Sequence, residues 1–330
     1  MNSALPAAQT AAVRCESGDR GFLPENRIHQ GDAARLMLRI RPETIAASFW
    51  SPPYFVGKSY EKNASFSGWR ELLRGVVQAH ADVLRPGGFM IINIADILCL
   101  PDPAMPRIQA DNSRKKCAVL RDDVLAAKRR HPFHTRAQLA GILGCSEQTV
   151  QRRLENNNVR GGKRQTQTKV FLTGGMLQEW AEESRLYLYD RRIWAKDPCW
   201  ANSRWHSNSY RAVDEFEYLY IFWKPGITPI NRARLSAEEW RDWGSRAVWR
   251  IPSVRANDRH EAMFPAELAR RVVRLFSDPG DAVLDPFVGS GTTAAAAAEC
   301  GRRYIGIEKV PEYAKLARQK CAQAAAFAAK

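Results

Sequence analysis

Apolar positions along this chain follow two periods in turn. The run Ile-Ala-Ala-Ser-Phe-Trp (45–50) is almost wholly apolar, as a strand buried on both faces would be, and it stops on Ser51-Pro52-Pro53-Tyr54. Two consecutive prolines cannot extend a strand or sit inside a helix, so the strand ends on a rigid corner. Upstream, 26–37 reads as a short strand, a Gly31-Asp32 turn and the start of a helix. Downstream, positions 72, 73, 76, 77, 80, 83 and 84 repeat at the helical period, Pro86-Gly87-Gly88 stops the helix, and "FMIINIAD" (89–96) makes the next strand. Strand, helix and strand alternate, which predicts a parallel sheet.

From about 100 to 185 the rhythm breaks, and the segment has no strong strand pattern before "VFL" (170–172). It reads as an inserted module. Alternation resumes with a strand at 217–224, a Trp-rich connection at 235–250, a helix at 265–276 and a strand at 281–285. A glycine turn then enters an Ala-rich helix (289–301), and "RYIGIE" (303–308) is the closing strand. The expected organisation is a loose N-terminal tail over 1–24, one α/β domain from 25–100 and 186–330, and an insertion over 101–185.

Length agrees, since 330 residues suit one α/β core carrying a small second module. No stretch approaches the roughly 20 apolar residues that span a bilayer, and the N-terminus lacks a basic start followed by an apolar segment. A cytoplasmic protein with no membrane partner is the default expectation. The seven cysteines (15, 99, 117, 145, 199, 300 and 321) form no C-x-x-C pair and have no His cluster near them, so neither a disulfide framework nor a metal site is expected. Net charge changes the picture more. Of the +15 total, the window Arg107–Lys169 supplies +10, with fifteen Lys/Arg against five Asp/Glu. Such an excess on one segment favours a polyanionic partner, most simply nucleic acid.

The sequence "DPFVGSGTTAA" follows a predicted strand and opens a helix, and Glu308 ends the next strand nineteen residues after Gly289. Small residues at 289 and 291 let the backbone approach a ligand, and the later acid can accept from ribose hydroxyls, so a nucleoside cofactor is implied. The loop alone fits a dinucleotide, another nucleoside or tight packing. Its company narrows this: "DPFVGSGTT", with "GRRYIGIE" after it and "HEAMFPAELARRVVRLFSDPGDAVL" before it, closely resembles the S-adenosylmethionine-binding region of amino-methylating DNA methyltransferases. "SPPY" resembles the catalytic motif of the same family, and "IHQGD" (28–32) its adenine-contacting segment. With SPPY N-terminal and the cofactor loop C-terminal, the order is similar to the circularly permuted β group.

The resemblance covers about 26–100 and 186–318 and implies a Rossmann-like α/β fold, a mostly parallel twisted sheet with helices on both faces, plus an inserted, mainly helical DNA-recognition module. It implies S-adenosyl-L-methionine as cofactor, with Asp285, Pro286, Phe287, Gly289, Ser290, Gly291, Thr292 and Thr293 around it. Glu308 would meet the ribose, Asp32 the adenine, and Phe264-Pro265 the cofactor edge.

An exocyclic amine on cytosine or adenine is a poor nucleophile because its lone pair is delocalised into the ring. Acceptors around its N–H bonds favour an attacking nitrogen; Ser51 and the Pro52 carbonyl could be those acceptors, held rigid by Pro53. Tyr54 would stack on a base flipped out of the duplex. Methylation at cytosine C5 would need a cysteine nucleophile, for which only Pro198-Cys199 offers itself, outside any matching context. A first residue of Ser is more typical of cytosine N4 enzymes in this family and Asp of adenine N6 enzymes. Cytosine N4 is therefore the expected target, with adenine N6 the alternative.

Within the insertion, 134–157 reads as two short helices. Thr135 and Gln138 make a capping box, Gly144 turns the chain and Ser146 caps the second helix. Leu139, Leu143, Val150 and Leu154 would pack between them, leaving Gln148, Gln151, Arg152 and Glu155 outward. This resembles a helix-turn-helix, or else is a plain helical hairpin. The expected DNA contacts are Gln148, Gln151, Arg152 and Arg153, with Arg160, Lys163 and Arg164 on a basic wing. Double-stranded DNA is the expected partner. The resemblance leaves open a cognate restriction endonuclease, and either a monomer or a homodimer.

Two rival readings explain less. A non-enzymatic helix-turn-helix regulator leaves SPPY and the glycine loop without a purpose, and a nicotinamide-dependent oxidoreductase gives no reason for the basic insertion. Phosphate-binding charge alone does not exclude RNA.

Overall fold

A computed structural model describes residues 21–55, 65–105, 117–156, 168–199, 212–254 and 263–328. The chain forms two compact units, one from residues 1–99 and 170–330 and one from Leu100–Lys169.

In the larger unit, β1 (Arg27–Gln30) leads into α1 (Ala33–Met37), whose N-cap Asp32 accepts from the Arg35 N–H. Next come β2 (Ile45–Trp50), buried at every position, and the amphipathic α2 (Phe66–Val83), capped by Ser65. The strand β3 (Leu84–Ile94) starts without a loop, and Pro86-Gly87-Gly88, read as a helix stop, lies inside it. Gly87 needs its φ of 80° there, and a Cβ would strike the Ile227 carbonyl.

After β4 (Ile97–Pro101) the chain enters the smaller unit, which holds α3 (Arg121–Arg130), α4 (Arg136–Ile142) and α5 (Glu147–Leu154). Val124, Ala127, Leu139, Ala140 and Val150 form its core, with Leu143 and Leu154 packed against them. The unit is thus three-helical, not a bare hairpin: α3, too polar to be read as an element, supplies Val124 and Ala127. The Thr135–Gln138 capping box and the Ser146 cap are both formed.

The chain returns through β5 (Thr168–Phe171), which pairs with β4, and α6 (Thr173–Glu183). The expected insertion boundary at Arg185 is therefore too late for the compact unit, which ends at Lys169. The helix α6 belongs to the larger unit because Met176, Leu177, Trp180 and Ala181 are buried, Arg70 of α2 lies over the Trp180 ring at 5.7 Å, and Arg74 pairs with Glu183 at 2.8 Å.

The remaining elements are β6 (Tyr187–Cys199), β7 (Asp214–Trp223), the single turn α7 (Ala237–Glu239), β8 (Val248–Arg250), α8 (Ala266–Phe276), β9 (Ala282–Asp285), α9 (Thr292–Glu299), β10 (Arg303–Glu308) and α10 (Pro311–Ala328). The main sheet runs β1-β10-β9-β2-β3-β7-β6-β8. Its first five strands are parallel, β7 is antiparallel to both β3 and β6, and β8 is parallel to β6. On one face, α8 and α9 pack on Ala47, Phe49, Ile91 and Val283, and α10 continues that layer over Ile28. On the other, α2 reaches the alternate side of β2 through His80 and Ser48, and α1 and α6 flank α2. This is the mostly parallel, doubly covered sheet expected of a Rossmann-like methyltransferase.

The tail is shorter than expected. Residues 1–20 lie outside the described residues, but Leu23 is buried and its N–H donates to the Arg39 carbonyl at 2.8 Å.

Candidate active site

From β9 the chain crosses to β10 on one side, and from β2 to β3 on the other. The carboxyl ends of these two central strands therefore open a crevice, the usual ligand position in an open α/β sheet. Ser48 pairs with Leu284 in parallel register although 236 positions separate them, so Ser51-Pro52-Pro53-Tyr54 and Asp285-Pro286-Phe287 leave the sheet side by side. Between them lies a cavity of about 460 Å³. A larger hollow of about 680 Å³ beside β1 contains none of these motif residues.

Ser51, Pro52, Pro53 and Tyr54 all line the 460 Å³ cavity, as do Asp32, Phe264, Pro286, Phe287, Gly289, Ser290, Thr292 and Glu308. Four expected cofactor residues stand behind the wall instead. Asp285 is buried and accepts from the Phe287 N–H at 3.0 Å; Thr293, also buried, donates to the Phe49 carbonyl at 3.3 Å. Gly291, at φ 91°, passes so close to α10 that a Cβ would lie 2.8 Å from Ala317 Cα. Pro265 is the buried N-cap of α8.

The proline corner is tied down from α2, where Trp69 Nε1 donates to the Pro53 carbonyl at 2.7 Å. Ser51 Oγ lies 2.7 Å from Tyr54 Oη and 3.0 Å from the Asn93 carbonyl. Tyr54 Oη donates to Glu217 Oε2 at 2.5 Å, and Asn93 Nδ2 donates to the same oxygen at 2.6 Å. Behind them, Lys196 Nζ contacts Glu217 Oε1 at 2.7 Å and Asp214 Oδ2 at 3.3 Å. Burial opposes the Lys196 charge, but the Glu217 and Asp214 carboxylates outweigh it and hold the pKa above its usual value.

On the cofactor side, Glu308 Oε2 accepts from the Gly289 N–H at 2.9 Å and Oε1 from the Val310 N–H at 2.8 Å, so one carboxylate fastens both loops and keeps a lone pair on each oxygen. Burial raises the pKa of Glu308, against the pull of these N–H groups. Asp285 is pushed up to about 7, chiefly by burial, with Thr293 and the Phe287 N–H pulling down and Glu308 pushing further up. Such carboxyls suit a ligand bearing hydroxyls and positive charge, and the apolar Leu72, Phe264, Phe287 and Val310 suit a flat ring. The donor set fits a nucleoside with a cationic arm, as S-adenosylmethionine is.

Among the described residues no group of His, Cys, Asp and Glu could hold a metal ion, and no helix is long and apolar enough to cross a membrane. In the smaller unit, Gln148 and Arg152 are exposed on α5. Gln151 is half-buried and donates to Glu155 at 2.9 Å, and Arg153 Nε donates to the Val119 carbonyl at 3.2 Å, so both are partly engaged within the unit. Arg160, Lys163 and Arg164 lie outside the described residues.

Trp69, Asn93, Lys196 and Glu217 were not singled out from sequence. Trp69 begins a helical stripe and Glu217 sits in a run that alternates like an ordinary strand, so only the register that faces Trp194 with Glu217 reveals the latter.

The family described as DNA methylase (N6_N4_Mtase) matches residues 45–319. The chain belongs to this DNA methylase family. The type II methyltransferase M.BglI of Bacillus subtilis is 55% identical over 302 residues, covering 91% of this chain and 87% of that protein. The type II beta methyltransferase M.BslI of Bacillus sp. (strain NEB-606) is 21% identical over 310 residues, covering 89% of this chain and 27% of the much longer relative. Among solved structures, the Thermus thermophilus DNA modification methylase TTHA0409 in complex with S-adenosyl-L-methionine superposes with a TM-score of 0.59 at 26% identity, over 91% of this chain and 94% of that one. The cytosine-N4-specific PvuII DNA methyltransferase shares the fold at TM-score 0.53 and 16% identity, over 93% and 94%. This DNA methylase is an amino-methyltransferase and uses S-adenosylmethionine as its cofactor.

Proposed function

We propose that this methyltransferase modifies the exocyclic N4 amine of a cytosine flipped out of a specific double-stranded DNA site. The carrying observation is that Ser51 and the Glu308-fastened cofactor loop line one cavity. Bound S-adenosylmethionine supplies an electrophilic methyl on a sulfonium whose departure as a neutral thioether needs no covalent enzyme intermediate.

The chain's own part is orientation. Trp69 occupies the Pro53 carbonyl, and the Pro52 carbonyl serves as the main-chain acceptor for the amine. Ser51 Oγ is the second acceptor, since both of its partners, Tyr54 Oη and the Asn93 carbonyl, can take its proton. Two acceptors on two N–H bonds turn the nitrogen lone pair toward the methyl. The Tyr54 ring is the platform for the flipped base. A neutral Ser at this position, where an acid would be the stronger acceptor, supports cytosine over adenine.

Site selection is assigned to the smaller unit, with Gln148 and Arg152 of α5 reading base edges, Gln151 and Arg153 beside them, and Arg160, Lys163 and Arg164 on phosphates. The likeness to M.BglI supports a role alongside a cognate restriction endonuclease.

Nucleoside analysis by mass spectrometry of DNA from cells expressing the protein is expected to reveal N4-methylcytosine; N6-methyladenine in its place would overturn the base assignment. Ser51→Ala should cut the single-turnover rate by about 100-fold while cofactor affinity changes by less than about threefold. Equal loss of both would contradict the role of Ser51.

A further inference from the structure

Behind the proline corner sits an ion pair that takes no part in the orientation of the amine by Ser51 and Pro52. Lys196 and Glu217 are both buried, each side chain about one-tenth exposed. Burying a pair of opposite charges rarely stabilises a fold more than an apolar pair of similar volume would. Here the pair also goes with a second unfavourable feature. Asn93 turns its Nδ2 toward Glu217 and Tyr54, and its Oδ1 is left buried without a hydrogen-bond partner. An orphaned buried acceptor is destabilising, and such costs gather at functional sites.

The pair dictates which way each hydrogen bond runs. Glu217 accepts on both oxygens, from Lys196 at Oε1 and from Tyr54 and Asn93 at Oε2. The Tyr54 proton goes to Glu217 at 2.5 Å in preference to the Asn93 carbonyl at 3.4 Å. Tyr54 Oη can then only accept, and the Ser51 proton is drawn inward, to Tyr54 Oη at 2.7 Å or the Asn93 carbonyl at 3.0 Å. The outer lone pairs of Ser51 stay free for an N–H group in the cavity.

We propose that Glu217, held by Lys196, is a positioning residue for methyl transfer: by taking the Tyr54 proton it fixes Ser51 as an acceptor toward the target amine. This rests on Ser51 being a group that orients the amine. An amide at 217 can offer an N–H to Tyr54 Oη. The phenol proton then turns to Ser51, the serine proton swings outward, and a donor faces the N–H of the substrate.

The test is a double-mutant cycle on single-turnover methylation of duplex DNA with labelled cofactor, with cofactor affinity followed by intrinsic fluorescence. Glu217→Gln should lower the rate roughly 100-fold in the native background, less than about twofold in a Ser51→Ala background, and leave cofactor affinity within about twofold. A protein that merely loses packing would bind cofactor less well and suffer alike in both backgrounds, and either result overturns the proposal. So does a native rate for Glu217→Gln. Should circular dichroism show Glu217→Gln unfolded, Tyr54→Phe decides, because it removes the phenol and keeps the ion pair. A loss of at least about tenfold that vanishes beside Ser51→Ala supports the proposal, and an unchanged rate sinks it. The Ser51→Ala arm reports separately on the underlying reading: full activity there removes the amine-orienting role of Ser51 and the proposal with it, whatever Glu217→Gln does.

Discussion

Asp285 shows how much one buried group can set. Its carboxyl has no ion partner in the wall of the cavity, only the Phe287 N–H and Thr293, and burial lifts its pKa to about 7. Half of the molecules therefore carry the proton near neutral pH. The ionised form attracts a cationic ligand arm and the protonated form does not, so cofactor affinity should rise as pH goes from about 6 to about 8. Asp285→Asn should abolish that rise and weaken binding by about 2 kcal/mol, roughly 30-fold, at pH 8. Calorimetric titration at several pH values measures both. Asp285 was legible in sequence because its motif is local: a strand, an acid and a glycine turn within a few residues. Glu217 was not, because its burial follows from β6 and β3 closing on both sides of β7, and no local pattern in "DEFEYLYIFW" marks which acid will be enclosed.

At the scale of elements, β2 and α2 are joined by a buried polar link. His80 Nδ1 lies 2.7 Å from the Val76 carbonyl, which can only accept, so this nitrogen carries the proton. Nε2 then accepts from Ser48 Oγ at 2.8 Å. Burial depresses the His80 pKa to about 4, against about 6.5 in the unfolded chain. Protons then favour the unfolded state. Stability is full above pH 6.5 and falls as pH drops toward 4, by up to about 3 kcal/mol. Asp285 acts in the opposite direction over an overlapping range, because its raised folded pKa makes the folded state the better proton binder as pH falls below 7. The contribution of His80 is therefore a difference: between pH 7.5 and 4.5, the urea midpoint of the native protein should fall further than that of His80→Gln. Parallel curves would show that His80 is not buried neutral. The helix α2 itself was plain from its apolar period, yet α6 was assigned to the insertion. Both α6 and the basic stretch lie between two recognisable strands, and only the burial of Trp180 and its neighbours places the helix in the larger unit.

At the scale of the whole molecule, charge and recognition separate. The permuted order of motifs was readable because each is compact, and the fold explains the permutation physically: parallel pairing of β2 with β9 makes neighbours of loops that the chain visits first and last. The +15 charge is concentrated in Arg107–Lys169, most of it on side chains that no local partner neutralises in sequence. Binding to any duplex should thus weaken steeply with salt, since each neutralised phosphate releases a counterion. Exposed cations such as Arg129 and Arg130 at the end of α3 should contribute to that slope and to nothing else. Gln148 differs, being uncharged and exposed near the start of α5. If α5 reads base edges, Gln148→Ala should cost about 1–3 kcal/mol on the methylated sequence and nothing on an unrelated duplex, with an unchanged salt slope. Arg129→Ala should instead lower the slope by about one on both duplexes and leave their ratio intact. Fluorescence anisotropy at several salt concentrations gives the slope and the ratio together. A loss for Gln148→Ala that is equal on both duplexes would move sequence reading out of α5 and leave the smaller unit as an electrostatic anchor.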